Sequence, residues 1–265
     1  LTAIAATATT TACLIATRAA HRVARMTIRE PMFGWVQSGR KTLIGRHVHQ
    51  HYGAGQAFLL AQGTQWDVVN EPAPGGHYRA LILQFSPALI EQFHALYGAQ
   101  FPATRQAPFT GLDMTAELRD SAQRAFEARA GLLQTHRLLE VLLLLAEAGV
   151  AYPPPGAPGW DERVRRMVGQ RPHADWTLAL LAEAFHTSAS TLRRRLHACD
   201  ASFAGILREA RLETALALLQ STPLAVGDIA LRCGYQSHSR FSAAFRRRFG
   251  FPPKQLRPPE AARVA

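Results

Sequence analysis

The sequence predicts an α+β chain: an N-terminal β-barrel or sandwich with trailing helices, then an all-α domain with two helix-turn-helix motifs joined by a long helix. Three observations predict it. Residues 28–86 alternate short apolar runs with turn signals such as Ser38-Gly39, Gly53-Ala54-Gly55 and Pro72-Ala73-Pro74-Gly75-Gly76, as successive strands do. After Ser86 the apolar period changes from two to 3.6, the period of a helix. The segment AYPPPGAPGW (151–160) concentrates proline and glycine between two regions of different character, which marks an exposed linker. These signals place an extension at 1–27, a first domain at 28–150, the linker at 151–160, a helical domain at 161–258 and a tail at 259–265.

Each element follows from local pattern. The opening LTAIAATATTTACLIATRAAHRVARM is apolar but rich in threonine, with no basic residues before the apolar run. It reads as a poorly ordered extension, not as a signal peptide or a membrane span. In HYRALILQFS, Tyr78, Ala80 and Ile82 point one way and Leu81, Leu83 and Phe85 the other. Both faces are apolar, so this strand belongs inside the barrel or sandwich. Residues 87–98 set Leu89, Phe93, Leu96 and Tyr97 on one helical stripe. Residues 134–148 carry Leu138, Val141, Leu142 and Leu145, with Leu139 and Leu143 beside them, a stripe wide enough to be packed within its domain or shared with a second subunit. A further helix is expected over 115–130. Beyond the linker, helices are expected at 161–169, 177–186, 189–198, 203–220, 226–233 and 238–248.

Composition narrows the function classes. Of 265 residues, 48% are apolar and 18% charged, which suits a globular protein with buried cores. The net charge of +11 directs attention to acidic partners, nucleic acid or an anionic membrane. Residues 161–265 hold 17 Lys and Arg against 9 Asp and Glu, so the basic character sits in the helical domain. Cys13, Cys199 and Cys233 are scattered with no C-x-x-C spacing, so neither a disulfide framework nor a zinc site is suggested, and a reducing, cytoplasmic setting fits.

Two short helix pairs share one plan. In LALLAEAFHTSASTLRRRL, Leu178, Leu181, Ala182 and Phe185 make an apolar face, HTSAS makes a turn with a serine N-cap, and Leu192 and Leu196 begin a second face. In VGDIALRCGYQSHSRFSAAFRRRF, Val226, Ile229, Ala230 and Cys233 make the face, Gly234 supplies the turn, and Phe241, Phe245 and Phe249 continue the packing. This is helix-turn-helix organisation, twice. The intervening helix of about 18 residues spans about 27 Å. That length is close to the ~34 Å repeat of duplex DNA, so both second helices can be directed into successive major grooves.

From Trp176 to Arg257 the chain resembles the AraC/XylS family of bacterial transcription regulators. The matching positions are Leu181, Ala182, Ser188, Leu192, Arg193 and Arg194; then Ser202, Phe203, Arg211, Ala215 and Leu218; then Ile229, Ala230, Cys233, Gly234, Tyr235, Ser239, Phe241, Phe245, Phe249, Gly250, Pro252, Pro253 and Arg257. The resemblance implies bipartite binding of double-stranded DNA, an N-terminal cupin-like barrel for effector sensing or dimerisation, and an activator more than a repressor. RNA polymerase and a small-molecule effector are implied partners, homodimerisation is left open, and no membrane partner is expected. Ala243 stands where the family often has arginine, and Asp200 where a helix-ending glycine is usual. Asp tolerates the left-handed conformation at some cost.

A helical wheel separates readers from packers. In the first pair Ser190, Arg193, Arg194 and His197 face away from the core, with Thr191 at the margin. Arg193 and Arg194 have the fork that bonds guanine O6 and N7 or holds a phosphate. In the second pair Ser239, Ser242, Ala243 and Arg246 point outward, Arg240 and Arg247 flank them, and Gln236 and His238 stand at the N-terminal entry. Arg248 falls on the core side, where its stem is expected to pack while its head reaches solvent.

The competing class is a metal-binding cupin enzyme with an accessory nucleic-acid-binding domain, and HVHQH is its evidence. Alternation puts His47, His49 and His51 on one strand face, but His47 and His51 would lie ~13 Å apart, too far to share one ion. Only an adjacent pair is feasible, and the next polar side chain is Gln56. No G-x-S-x-G, P-loop or H-E-x-x-H sequence occurs. No catalytic residue, metal ligand or cofactor is therefore assigned, and the effector-binding residues are left unassigned. Phe33, Trp35, Phe58 and Trp66 fit core packing as well as a pocket.

Overall fold

The computed structural model describes residues 12–45, 48–101 and 109–256. The chain divides into two compact units between Pro155 and Gly156. Among the described residues the first holds nine strands, all paired antiparallel: β1 (Ala12–Thr17), β2 (His21–Thr27), β3 (Met32–Ser38), β4 (Arg40–Ile44), β5 (His49–Gly53), β6 (Ala57–Leu60), β7 (Gln65–Glu71), β8 (Tyr78–Gln84) and β9 (Phe109–Leu112). They form a five-stranded sheet, β1-β8-β3-β6-β9, and a four-stranded sheet, β2-β7-β4-β5. Hydrogen bonding does not run round a closed barrel. Among the described residues the β-unit expected from the sequence is thus present as two open antiparallel sheets.

The sheets meet through side chains that alternate inward. Tyr52 of β5 packs its ring 5.2 Å from that of Phe58 on β6. A Cβ on Gly34 would come within 2.0 Å of the Phe58 ring, so glycine on β3 is what lets that ring lie across the neighbouring strand. The other face of the larger sheet is covered by α1 (Pro87–Tyr97), α2 (Ala116–Glu127) and α3 (Leu132–Glu147). Phe33, Leu81, Leu83 and Phe85 share one core with Leu89, Phe93, Leu138, Val141 and Leu145. This explains why β8 is apolar on both sides: one side meets the second sheet and the other meets the helices.

Several expectations are corrected. Residues 12–27, taken for an unstructured extension, form β1 and β2. Strand β1 closes the edge of β8 over six paired positions, Ala12 opposite Leu83 through Thr17 opposite Tyr78. β2 alternates buried His21 and Val23 with exposed Arg22, then bulges where Arg25 takes φ 50°. Asp67 holds the bulge, accepting from Arg22 at 2.5 Å and from the Arg25 amide at 2.6 Å. Residues 1–11 and the tail at 259–265 lie outside the described residues. Leu96 is 57% exposed, because the buried stripe of α1 runs through Leu89, Ile90 and Phe93.

Residues 151 and 152 also belong to the sheet unit and not to a linker. Tyr152 is buried, donates to the Met32 carbonyl at 3.2 Å, and its own carbonyl lies 2.7 Å from His94 Nε2. At the other end of the expected linker, Trp160 already begins a helix.

The second unit is helical: α4 (Trp160–Gln170), α5 (Leu178–Ala184), α6 (Ala189–His197), α7 (Phe203–Ser221), α8 (Val226–Arg232), α9 (His238–Phe249) and a 3-10 turn at Pro253–Leu256. Serine or threonine side chains fix the starts of α5, α6, α7 and α9, each accepting an orphan amide two or three residues into the helix. Arg257 lies outside the described residues.

The attachment of Tyr152 is testable by substitution. Tyr152→Ala should destabilise the sheet unit by about 3–5 kcal/mol, the cost of deleting a large buried ring. Pro154→Ala, at an exposed position, should change it by less than about 0.5 kcal/mol. Urea unfolding of both variants checks the contrast.

Candidate functional site

The two helix pairs of the second unit are built on one turn geometry. α5 ends at Phe185 and α8 at Cys233, both with φ −95° and ψ 10°. The next residue is left-handed in each case: His186 at φ 50° and Gly234 at φ 78°. Then Thr187 N donates to Ala182 O, and Tyr235 N to Ala230 O, both at 2.9 Å. This hydrogen bond across five residues ends each first helix and turns the chain into the second. The histidine was not expected at a left-handed position. Asp200 is left-handed too, at φ 51°.

Each second helix buries an apolar stripe and exposes the remainder. On α6, Leu192 and Leu196 are buried while Ser190, Arg193, Arg194 and His197 are exposed and Thr191 is partly covered. Ser188 caps α6 from the Thr191 amide at 3.1 Å, and its hydroxyl also lies 2.9 Å from that of Ser190 and 2.8 Å from that of Thr191. On α9, Phe241, Phe245 and Phe249 are buried with successive ring separations of 5.7 and 4.6 Å. His238, Ser239, Arg240, Ala243, Arg246 and Arg247 are exposed, as is Gln236 before the helix, and Ser242 is partly covered.

One arginine of each triplet folds back on the body of the domain. Arg195 lies 4.2 Å from the Trp160 ring, with Arg163 at 4.0 Å from the same ring. Arg248 was expected to send its head to solvent. Instead its Nε donates to Glu209 at 2.5 Å, and its side chain is only 12% exposed. A carboxylate one helix away in space had no signature in the local pattern. Arg193, Arg194, Arg246 and Arg247 remain as the outward-facing cations of the two triplets.

The first unit holds a feature that sequence reasoning missed. Lys41 on β4 points into the space between the sheets, where its ammonium donates to Asn70 Oδ1 at 2.9 Å and to the Tyr78 hydroxyl at 3.5 Å. It lies 5.4 Å from the Phe58 ring centre and 5.6 Å from that of Tyr78. Burial pushes its pKa down to about 7, opposed by nearby Cys13. Burial likewise pushes the Cys13 thiol up to about 11, and lowers His21, which approaches Asn70 at 3.4 Å. No carboxylate among the described residues forms an ion pair with Lys41. The alternation Lys41, Leu43 was visible in the sequence, but a lone lysine in a strand ordinarily faces water.

His49 and His51 sit on edge strand β5, exposed, with ring centres 4.7 Å apart. His51 Nδ1 lies 2.9 Å from Thr42 Oγ1. His47 lies outside the described residues, among which no three His, Cys, Asp or Glu side chains are grouped to hold a metal ion. Beside this pair, Gln50, Tyr52, Gln56, Gly111, Asp113 and Met114 line a cleft of about 390 Å³ at the open edges of the two sheets. No helix among the described residues is long and apolar enough to cross a membrane.

Paired helix-turn-helix motifs with basic, outward-facing second helices define the class of DNA-binding transcription-regulator domains. Residues 181–258 match the helix-turn-helix domain family, and their spacing is similar to the AraC/XylS type. The chain is 34% identical over 97 residues to the transcriptional activator CsvR of Escherichia coli, covering 37% of this chain and 36% of that protein. It is 27% identical over 179 residues to the urease operon transcriptional activator of Escherichia coli, covering 66% of this chain and 59% of that protein. The chain therefore spans between about a third and three fifths of the length of these relatives. Among solved structures, ToxT from Vibrio cholerae is similar with a TM-score of 0.64 at 13% identity, over 92% of this chain and 96% of that one. At that identity the likeness concerns the fold. Another ToxT structure, with a TM-score of 0.60 at 11% identity over 92% of this chain and 93% of that one, has an unsaturated fatty acid bound.

Lys41 makes the stability of the sheet unit depend on pH. The unfolded chain keeps this proton up to about pH 10.4, whereas the folded unit releases it near pH 7. Between those values the unfolded state binds more protons, so stability rises with pH by up to about 1.4 kcal/mol per unit, and Lys41 adds no slope below pH 7. Hydrogen exchange of the β4 and β7 amides at pH 7 and pH 9, corrected for intrinsic rates, should show this gain. Lys41→Met should abolish it; an unchanged slope in that variant would assign the effect elsewhere.

Proposed function

We propose that the protein is a sequence-specific DNA-binding regulator of transcription, acting as an activator, with α6 and α9 as its two reading helices. The observation that carries this reading is the repeated turn, which presents two basic helices of the same design from one domain. α7, with 19 residues, is about 28 Å long. That suits placement of the two helices in successive major grooves, whose repeat is ~34 Å. Arg193 and Arg194 would form bidentate bonds with guanine or hold phosphates, and Ser190, Thr191 and His197 would border them. Gln236, His238, Ser239, Arg240, Ser242 and Arg246 would form the second head, which is poorer in bidentate donors because position 243 is alanine. The relatives named as activators support the sign of regulation.

Selection from a random duplex library at fixed salt tests the reading. Enrichment of a two-part motif, bound on the order of 10³-fold or more above random sequence, is expected. No enriched motif would overturn it. Within the selected motif, Arg193→Ala or Arg194→Ala should cost about 1–3 kcal/mol and relax one position if that residue reads a base. Uniform weakening with unchanged preference would reassign it to a phosphate.

The first unit serves, on this reading, as the sensor of a small amphipathic anion. Lys41 supplies a buried amine whose hydrogen-bond partners among the described residues, Asn70 and Tyr78, are neutral, and Phe58 and Tyr52 connect it by ring contacts toward the cleft. The fatty acid in the similar ToxT fold suggests the ligand chemistry. An unsaturated long-chain fatty-acid anion should bind more tightly at pH 6 than at pH 8, since the ammonium forms below about pH 7. Lys41→Met should weaken binding about tenfold or more by calorimetry, the size expected for losing a charge-assisted hydrogen bond. Equal affinity in the variant would remove Lys41 from the site.

A further inference from the structure

α7 is more than a spacer between the two helix pairs. Within five residues of it, three charged side chains reach three different elements. Glu209 accepts from Arg248 of α9 at 2.5 Å, and Glu213 accepts from Arg165 of α4 at 3.2 Å. Between them Arg211 donates from Nε to the Pro172 carbonyl at 2.8 Å and from Nη2 to the Ala174 carbonyl at 3.1 Å. Pro172 and Ala174 lie in the loop that leads from α4 into α5, so Arg211 ties α7 to the first helix pair.

The same guanidinium meets the turn of the second pair. A Cβ on Gly234 would come 2.8 Å from Arg211 Cζ, 2.8 Å from its Nη2 and 2.8 Å from the Pro172 carbonyl oxygen. The turn of the second pair thus rests directly on the loop of the first, with the Arg211 fork filling the seam. Gly234 is required there twice over, by its φ of +78° and by the absence of room for any side chain. Burial at the seam pushes the Cys233 thiol up to about 12, opposed by Arg211.

We infer that Arg211 is a positioning residue that fixes the separation and angle of the two reading helices, and thereby the spacing between the two halves of the DNA site. The inference rests on the proposal that α6 and α9 both read DNA. A guanidinium fork fixes two carbonyls at once, whereas a lysine ammonium has no such planar pair of donors. With the fork lost, α8 and α9 stay folded on their own phenylalanine core, but their orientation relative to α5 and α6 loosens. Each half-site should then be read as before, at a distance no longer enforced.

The test measures spacing, not affinity alone. The duplex motif selected by the unaltered protein is remade with one or two base pairs added or removed between its halves, and binding is compared at fixed salt. The unaltered protein should lose on the order of tenfold per inserted or deleted base pair, comparable to a mismatch. Arg211→Gln should bind the original spacing more weakly and vary less than about threefold across the series, with base preference in each half unchanged. Arg211→Lys should lie between the two, and it carries the same test should Arg211→Gln fail to fold by circular dichroism. A folded variant that keeps the steep spacing dependence, or that weakens equally at every spacing, overturns the role of Arg211 alone. If the unaltered protein shows no spacing dependence, the two-headed reading falls, and this inference with it.

Discussion

The helical unit depends on one shared wall. α5 and α8 have seven residues each, too few to be stable helices by themselves. Each gains its stability by packing: α5 and α6 through Leu181, Leu192 and Leu196 in one core with Val164 and Val168 of α4 and Ile206 and Ala210 of α7, and α8 and α9 against the later half of α7, where Leu212, Ala215 and Leu219 are buried. One continuous helix therefore belongs to both cores. Its surface positions are left for the charged residues that reach α4, α9 and the loop before α5, so packing and orientation are set by different faces of the same element.

A different compromise governs the sheet unit. Aromatic packing between the sheets requires that Phe58 lie against a bare backbone at Gly34, and the space so defined admits the lysine ammonium of Lys41. Removing that ammonium from water is unfavourable, and two neutral acceptors offset the cost only partly. A core built for stability alone would place methionine or leucine there.

Much of the helical unit was legible because its determinants are local. Serine caps, apolar stripes at 3.6 spacing and the glycine after Cys233 are all readable within a dozen residues, and the expected helix limits differ from the observed ones by at most two positions. The outward placement of Arg193, Arg194 and Arg246 followed from the same wheel that buried Leu192 and Phe245. The unreadable parts depend on contacts distant in sequence. β1 is a strand because β8 offers it an edge some seventy residues later, and Arg248 is held by Glu209, 39 residues earlier. Lys41 is buried because of Asn70, Tyr78 and Phe58, none of them on its own strand.

The two turns, alike in backbone, differ in what surrounds them. His186 is exposed to solvent, whereas Gly234 is wedged between a carbonyl and a guanidinium. The first turn therefore has room for a side chain, and the second has none. Divergence among descendants of such a chain should be channelled accordingly. In the second pair, room for substitution lies on the outward face of α9, away from the joint; in the first, the exposed turn has space for a side chain, and its left-handed backbone alone limits the residue types it takes.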